Sequence, residues 1–545
     1  MRKQASNGAI AVQAIAGTYV VLLGMDIAES HSAGVLGFAI ERTDHTENER
    51  YWLRGFKTFA ETDPGVPPGS LVSTLEHPVQ AFLWGDFTAK PHHDYTYRIV
   101  ALRGKPKNLE QAETVEVRVQ TEDESRGNHA VYFNRGVAGS QAYARRFGNQ
   151  PPGQVPHRQA WRWLSRGLEE AMLGFIRQAK GKRYGLRAAV YEFQYQPALI
   201  AFAQAAATGA EVKIIFDGRP NSQNVPNQAN RRAITDVGIE ALTLPREENR
   251  SYISHNKFII LLENGEPTQV WTGSTNFTMG GIFGQSNVGH IVRDRAVATQ
   301  FMEYWLTLST DPPAKTLRSW NENHNPVPVP TPLPDQTTVL FSPRSSLEAL
   351  EWYAQQVATA KKAIFFTAAF GVSASMSAIL TQPSNCLRYV LLEKEGGNME
   401  SLRRDPNNRI AVGGLRKEDA YNRVLRETLT GLNRHVRFVH TKYLLIDPLS
   451  DNPLTITGSA NFSNASTKNN DENMLLIQGD KWVADIYLGE FIRLFNHYYY
   501  RYVVQEEEQG HPYHLTPDDT WLQSYYRPGT PRYQERLYFA GIESP

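Results

Sequence analysis

The chain has a single cysteine, Cys386, in 545 residues. That excludes an internal disulfide framework and any zinc site built on several cysteines. A lone thiol suits a reducing compartment, so the sequence leads us to expect a cytoplasmic protein. Net charge is lacking too: 57 Lys and Arg stand against 56 Asp and Glu. Any affinity for nucleic acid or for an anionic surface must therefore come from local patches. No run reaches the roughly 18 apolar residues of a membrane span. The chain starts with Arg2 and Lys3, but Gln13, Gly17 and Thr18 interrupt the apolar stretch from Ala9 to Leu23. That stretch reads as strands and not as a cleaved leader.

What is present divides the chain into parts, since 545 residues exceed one ordinary core. Residues 1–125 read as all-β, with short apolar runs at 18–25, 35–40 and 79–84 and alternation at 115–119. The segment from Lys90 to Ala101 resembles the E–F corner of a fibronectin type III sandwich, with Tyr95 as the corner tyrosine; an ordinary strand tyrosine is the competing reading. Such a domain would be an adaptor for a protein partner, for substrate or for self-association.

From residue 128 the texture becomes α/β. Strands are expected at 130–133, 187–193, 211–216 and 255–262, with helices at 168–178 and 197–207. The order recurs after residue 339: a strand at 339–341, a helix at 347–360, then strands at 363–367, 387–392 and 440–447. This gives a first lobe at 128–311 and a second at 339–505. Between them, residues 312–338 hold seven prolines from Pro312 to Pro334 and read as a stiff extended linker. The aromatic tail at 506–545 is expected to pack on the body.

A polar pattern repeats 185 residues apart. His255-Asn256-Lys257 is followed by Gly273-Ser274-Thr275-Asn276, and His440-Thr441-Lys442 by Gly458-Ser459-Ala460-Asn461, at identical offsets. In H-x-K on a strand, both side chains leave the same face. The apolar runs that follow, 258–261 and 443–446, suit a strand covered on both faces. A histidine and a lysine opening such a strand need polar partners or a function. Together, two histidines, two lysines, two asparagines and two serines can surround one anion. They suit phosphoryl transfer from a diester, with one histidine attacking phosphorus and the other protonating the leaving oxygen. The lysines and asparagines would stabilise the equatorial oxygens, so no metal or other cofactor is called for.

These residues resemble the phospholipase D superfamily, with its paired H-x-K-x4-D and G-S-x-x-N motifs. The resemblance covers roughly residues 128–500. It implies two α/β lobes related by pseudo-twofold symmetry, following the N-terminal β-sandwich, with the active site between the lobes. The second copy is complete: His440, Lys442, Asp447, Ser459 and Asn461, with Glu472 as a further carboxylate. In the first copy Leu262 holds the aspartate position, Glu263 comes one residue late, and Asn287 stands where Glu472 suggests an acid. The expected site is therefore His255, Lys257, Ser274, Asn276, His440, Lys442, Asp447, Ser459, Asn461 and Glu472. Acids gathered beside His440 would raise its pKa and make it the general acid, leaving His255 as nucleophile.

Residues 141–187 carry ten Lys and Arg against Glu169 and Glu170, with Trp161 and Trp163 among them. Such interleaving suits a single-stranded nucleic-acid groove; a solvated helix face with inward tryptophans is the alternative. A second basic stretch runs from Arg403 to Arg437. The loop Gly280–Gly284 could line an apolar lip for lipid. The expected substrate is nucleic acid ahead of phospholipid, and a catalytically silent nucleic-acid scaffold is the third reading.

Overall fold

The computed structural model describes residues 1–67, 70–136, 141–220, 226–248, 252–328, 333, 336–396, 399–413, 438–506 and 514–543. The N-terminal region is β-rich, with two four-stranded sheets. One pairs Arg2–Ser6, Ile10–Ala16, Val21–Ile27 and Leu83–Asp86; the other pairs Asn108–Gln120, Asp94–Lys105, Gly37–Asp44 and Glu49–Trp52. Alternation works as expected on Asp94–Lys105, where Tyr95, Tyr97 and Ile99 turn inward between half-exposed neighbours.

Two α/β sheets follow, and their strand order is the same. The first runs Ser125–Arg126, His129–Phe133, Val288–Val292, Glu266–Gly273, Lys257–Glu263, Tyr184–Val190, Glu211–Asp217 and Thr243–Arg246. The second runs Thr337–Ser342, Glu472–Gln478, Leu454–Gly458, Tyr443–Ile446, Ala363–Ala368, Leu387–Leu392 and Asn408–Val412. In each, the strand after the histidine motif lies antiparallel to a central strand whose other neighbour is parallel. Phe258, Ile259, Ile260 and Leu261 are all buried, as are Tyr443 to Ile446, because helices cover both faces of these strands.

One continuous core joins the three parts. The helix Lys481–Glu506 contributes Val483, Ile486, Tyr487 and Phe491, which meet Ile15, Val20 and Leu22 of the N-terminal region and Phe258 and Ile260 of the first lobe. Polar stitches reinforce it: wholly buried Arg246 of the first lobe binds Asp471 of the second at 3.0 Å. The N-terminal β region is thus bound into the body, with Arg2 on Asp485 at 2.8 Å.

One expectation changes. The proline-rich connector is not extended throughout, since Ala314–His324 is a helix with Leu317 and Asn321 buried. Pro312 and Pro313 precede it and Pro326 follows, so no proline falls in the helix interior, where the missing N–H would break it. Pro330, Pro332 and Pro334 lie outside the described residues. The tail docks as expected, with a specific target. Trp521 and Tyr525 pack against Phe82 of the N-terminal region, and Pro531–Ala540 covers its first sheet. Gly24 permits that approach, because a Cβ there would stand 2.0 Å from the Phe539 carbonyl oxygen. Among the described residues no helix is long and apolar enough to cross a membrane.

Candidate active site

The two H-x-K segments meet where the lobes abut. The Ser286 N–H donates to the Phe438 carbonyl at 2.7 Å, and the His440 N–H donates to Ser286 Oγ at 3.3 Å. Both histidines stand just before their strands, which begin at Lys257 and Tyr443. His255 is 5% exposed and His440 4%; Lys257 and Lys442 are fully buried. Each lysine Nζ donates to the carbonyl of its own motif histidine at 2.5 Å, and Lys257 also lies over the Tyr191 ring.

The lobes exchange partners. His255 Nδ1 lies 2.5 Å from Glu472 Oε1, which comes from the second lobe. The contact lies off the ring N–H axis and makes no aligned hydrogen bond. His440 Nδ1 lies 2.8 Å from Asn287 Oδ1, which comes from the first. Asn287 Nδ2 donates to the Gly281 carbonyl at 2.7 Å, and Ser274 Oγ donates to Asn287 Oδ1 at 2.8 Å. The amide oxygen therefore faces His440 and requires the proton on Nδ1. Glu472 stands against Nδ1 of His255 without an aligned hydrogen bond, so it acts on that ring through charge and not as an acceptor. In both rings Nε2 is the atom left for chemistry.

Below the histidines the exchange continues. Asn473 Nδ2, beside Glu472, donates to Asn256 Oδ1 at 2.8 Å, and Thr272 Oγ1 donates to Asn473 Oδ1 at 2.6 Å. Gly273 closes the first-lobe turn at φ 131°, where a Cβ would meet the Val288 carbonyl at 2.3 Å. That close approach places Ser274 against Asn287. Ser459 Oγ of the second copy accepts the Asn473 N–H at 3.0 Å. Asn276 donates through Nδ2 to Glu192, leaving one amide hydrogen for a substrate oxygen. The Oδ1 atoms of Asn276 and Asn461 are buried without a protein partner.

Electrostatics follow from burial. His255 is held well below the ordinary imidazole range, first by burial and then by the charges of Lys257, Lys442 and His440. His440 is lowered by burial and by both lysines. Burial pulls Lys257 down to about 7 against the pull of Glu472 and Glu192. Lys442 falls well below its usual value through burial and the charge of Lys257. Burial pushes Glu472 up, to about 8, with both lysines opposing. A bound anion would oppose these shifts, since negative charge between the lysines favours their protonated forms.

The structure therefore brings together eight of the expected residues, His255, Lys257, Ser274, Asn276, His440, Lys442, Ser459 and Glu472, while Asn461 lines a hollow with Arg344, Tyr353 and Ser466. Asp447 is not among the eight. Its carboxylate accepts the backbone N–H groups of Lys361, Lys362 and Ala363 at 2.7–2.9 Å, pinning the far end of the second sheet. Five residues of strand carry it about 16 Å from Lys442. Nor do acids gather beside His440: Glu472 crosses to His255, and His440 receives a neutral amide. Glu263 is ion-paired with Arg183 at the end of its strand. Sequence reasoning did not reveal the structural parts of Asn256, Asn473 and Glu192. Asn256, as the middle residue of H-x-K, was the one visible signal.

Among the described residues, four of the ten basic side chains in the stretch 141–187 are ion-paired. Arg158 pairs with Glu169, Arg166 with Glu490, Arg183 with Glu263 and Arg187 with Glu211. Trp161 packs on Phe283, and Trp163 on Tyr143 and Phe147. The loop Gly280–Gly284 is buried throughout and forms no exposed lip. Most of the second basic stretch, from residue 414 on, lies outside the described residues.

The family described as "Cardiolipin synthase, PLD-like domain" matches residues 172–308 and 393–495, spans that include both motif copies. Over these spans the chain is similar to the phospholipase D-like domain family. Among solved structures, phosphatidylserine synthase of Haemophilus influenzae Rd KW20 is similar, with 12% identity over 61% of this chain and 85% of that one (TM-score 0.43). A phospholipase D family member, Nuc from Salmonella typhimurium, shows 27% identity over 26% of this chain and 84% of that one (TM-score 0.21). For polyphosphate kinase from Porphyromonas gingivalis identity is 10%, the coverage 56% of this chain and 42% of that one (TM-score 0.38). No curated protein matches the chain.

Proposed function

We propose that the chain cleaves phosphodiesters without a metal, through a covalent phosphohistidine on His255, and that its favoured substrate is nucleic acid. The exchanged partners of the two histidines carry this reading. Glu472, set against His255 Nδ1, offsets the positive charge that develops when Nε2 bonds to phosphorus. Asn287 supplies His440 with a neutral acceptor, so its imidazolium stays strongly acidic and suited to protonating a leaving oxygen.

In the first step His255 Nε2 attacks phosphorus, the bond to the leaving oxygen breaks, and that oxygen takes the His440 Nε2 proton. In the second, water attacks phosphorus and gives a proton to His440 Nε2. The P–N bond then breaks and its electron pair returns to His255. Lys257, Lys442 and Asn276 would donate to the equatorial oxygens. The burial of Gly280–Gly284 supports nucleic acid over lipid, because this loop itself presents no exposed apolar face. The description of the matching family favours a second reading, transfer on a phospholipid phosphate.

The matching strand orders support a pseudo-twofold relation between lobes. The Tyr95 hydroxyl, which accepts the Lys90 N–H at 3.0 Å, supports a fibronectin type III-like adaptor. The test is one panel in EDTA: single- and double-stranded DNA, RNA, phosphatidylcholine micelles and bis-p-nitrophenyl phosphate, with His255→Ala and His440→Ala as controls. Cleavage of nucleic acid that both variants lose is expected. Lipid cleavage alone would overturn the substrate, and strict dependence on added metal would overturn the mechanism.

A further inference from the structure

We infer that Asp217 and Glu393 are positioning residues, one for each histidine of the cleft. The inference rests on the phosphohistidine reading above and assigns each acid to one chemical role. Both histidines lie outside their strands, so the ladder hydrogen bonds that fix Lys257–Glu263 and Tyr443–Ile446 do not reach them. Something else must hold the backbone there. Asp217 Oδ2 accepts the N–H of Ser254, the residue before His255, at 3.2 Å. Glu393 Oε2 accepts the N–H of Val439, the residue before His440, at 2.8 Å, and that of Phe438 at 3.2 Å.

The two acids occupy corresponding places. Phe216 pairs with Val190, which pairs with Lys257; Asp217 follows Phe216. Leu392 pairs with Ala368 on the central strand of the second sheet; Glu393 follows Leu392. The acids are 0% and 2% exposed. Asp217 is itself locked: Arg219 Nε lies 3.1 Å from its Oδ1 and 3.0 Å from its Oδ2. A charged acceptor makes a strong tether to a backbone N–H, and one of different length in each lobe reaches the same target. Motif searching misses both residues because they lie on neighbouring strands, 38 and 47 positions before their histidines.

Rapid-quench measurement of the first step tests the assignment, using bis-p-nitrophenyl phosphate and diphenyl phosphate. Nitrophenolate leaves without protonation, whereas phenolate needs the acid. Burst amplitude counts active sites, so the rate per site is independent of any unfolded fraction. Asp217→Ala is expected to slow phosphoenzyme formation roughly 10–100-fold on both substrates, the scale of a small misplacement of a reacting group. Glu393→Ala should slow it by a similar factor on diphenyl phosphate but less than about threefold on bis-p-nitrophenyl phosphate. Asp217→Asn and Glu393→Gln keep an acceptor oxygen and should recover most of the rate. They also provide the test should either alanine variant fail to fold. Unchanged rates per site in the alanine variants would overturn the inference, as would equal losses on both substrates for Glu393→Ala. A wild-type enzyme with no burst would instead overturn the phosphohistidine reading itself.

Discussion

Glu472→Gln replaces the carboxyl that can ionise against a cationic His255 with an amide of nearly the same volume. The carboxylate lies 2.5 Å from His255 Nδ1, and both groups are shielded from water. When His255 becomes phosphorylated the ring is cationic, with charge centres about 4 Å apart. At an effective dielectric near 20 that attraction is about 4 kcal/mol, or roughly a thousandfold in rate. The variant should therefore form phosphoenzyme roughly 10²–10³ times more slowly, with KM changed much less, because the interaction strengthens only as the bond forms. Folding should not suffer: a buried carboxyl pushed up to about 8 loses little by becoming an amide. The assay is rapid-quench burst kinetics with bis-p-nitrophenyl phosphate, beside a thermal melt of the same sample. A first-step rate within about fivefold of wild type, in a protein of wild-type melting temperature, would refute the role given to Glu472.

Asp447→Ala should lower stability by about 1–3 kcal/mol, since three backbone N–H groups lose their acceptor, yet leave the rate per active site within about threefold; a denaturant melt with burst titration decides it. Tungstate or vanadate binding should take up protons above pH 7, because the Lys257 pKa of about 7 rises when an anion arrives, and affinity should fall as pH climbs past that value. Calorimetry in two buffers of different ionisation enthalpy reads the proton count. His129 and His290 share a hydrogen bond of 2.9 Å, and burial lowers both pKa values, so the unfolded chain binds protons that the folded one refuses. Their contribution is complete above about pH 6.5 and declines below it by up to about 1.4 kcal/mol per pH unit for each histidine, which urea melts from pH 7 to 5 will show. Gly273→Ala should abolish activity and destabilise the first lobe, since its Cβ has no room beside the Val288 carbonyl; a melting temperature equal to wild type would contradict this.

Much of the fold was legible because its signals are local. The runs 258–261 and 443–446 are apolar without a break, and only a strand covered on both faces uses such a run. The aromatic tail had to bury its rings somewhere, though nothing local named Phe82 as a neighbour. The proline-rich connector misled because prolines were counted over a window, while the proline-free interval from Ala314 to Asn325 has room for three turns of helix. Part of the charge of the basic stretch was hidden for a related reason. Its charges were weighed against acids within the stretch, but Glu211, Glu263 and Glu490 come from elsewhere in the chain.

The sequence alone determined the chemical inventory: two histidines, two lysines, two asparagines and two serines at equal spacing, a set that suits one anion. Asp447 was counted with them, and the structure removed it by giving its carboxylate to the backbone N–H groups of Lys361, Lys362 and Ala363. Only the tertiary structure decided which acid serves which histidine. Glu472 follows His440 by 32 residues in sequence, but the abutting lobes carry it past that ring to His255, 217 residues away. Sequence proximity orders the backbone; burial of a charge obliges it to find its partner in space, and that partner lay across the interface.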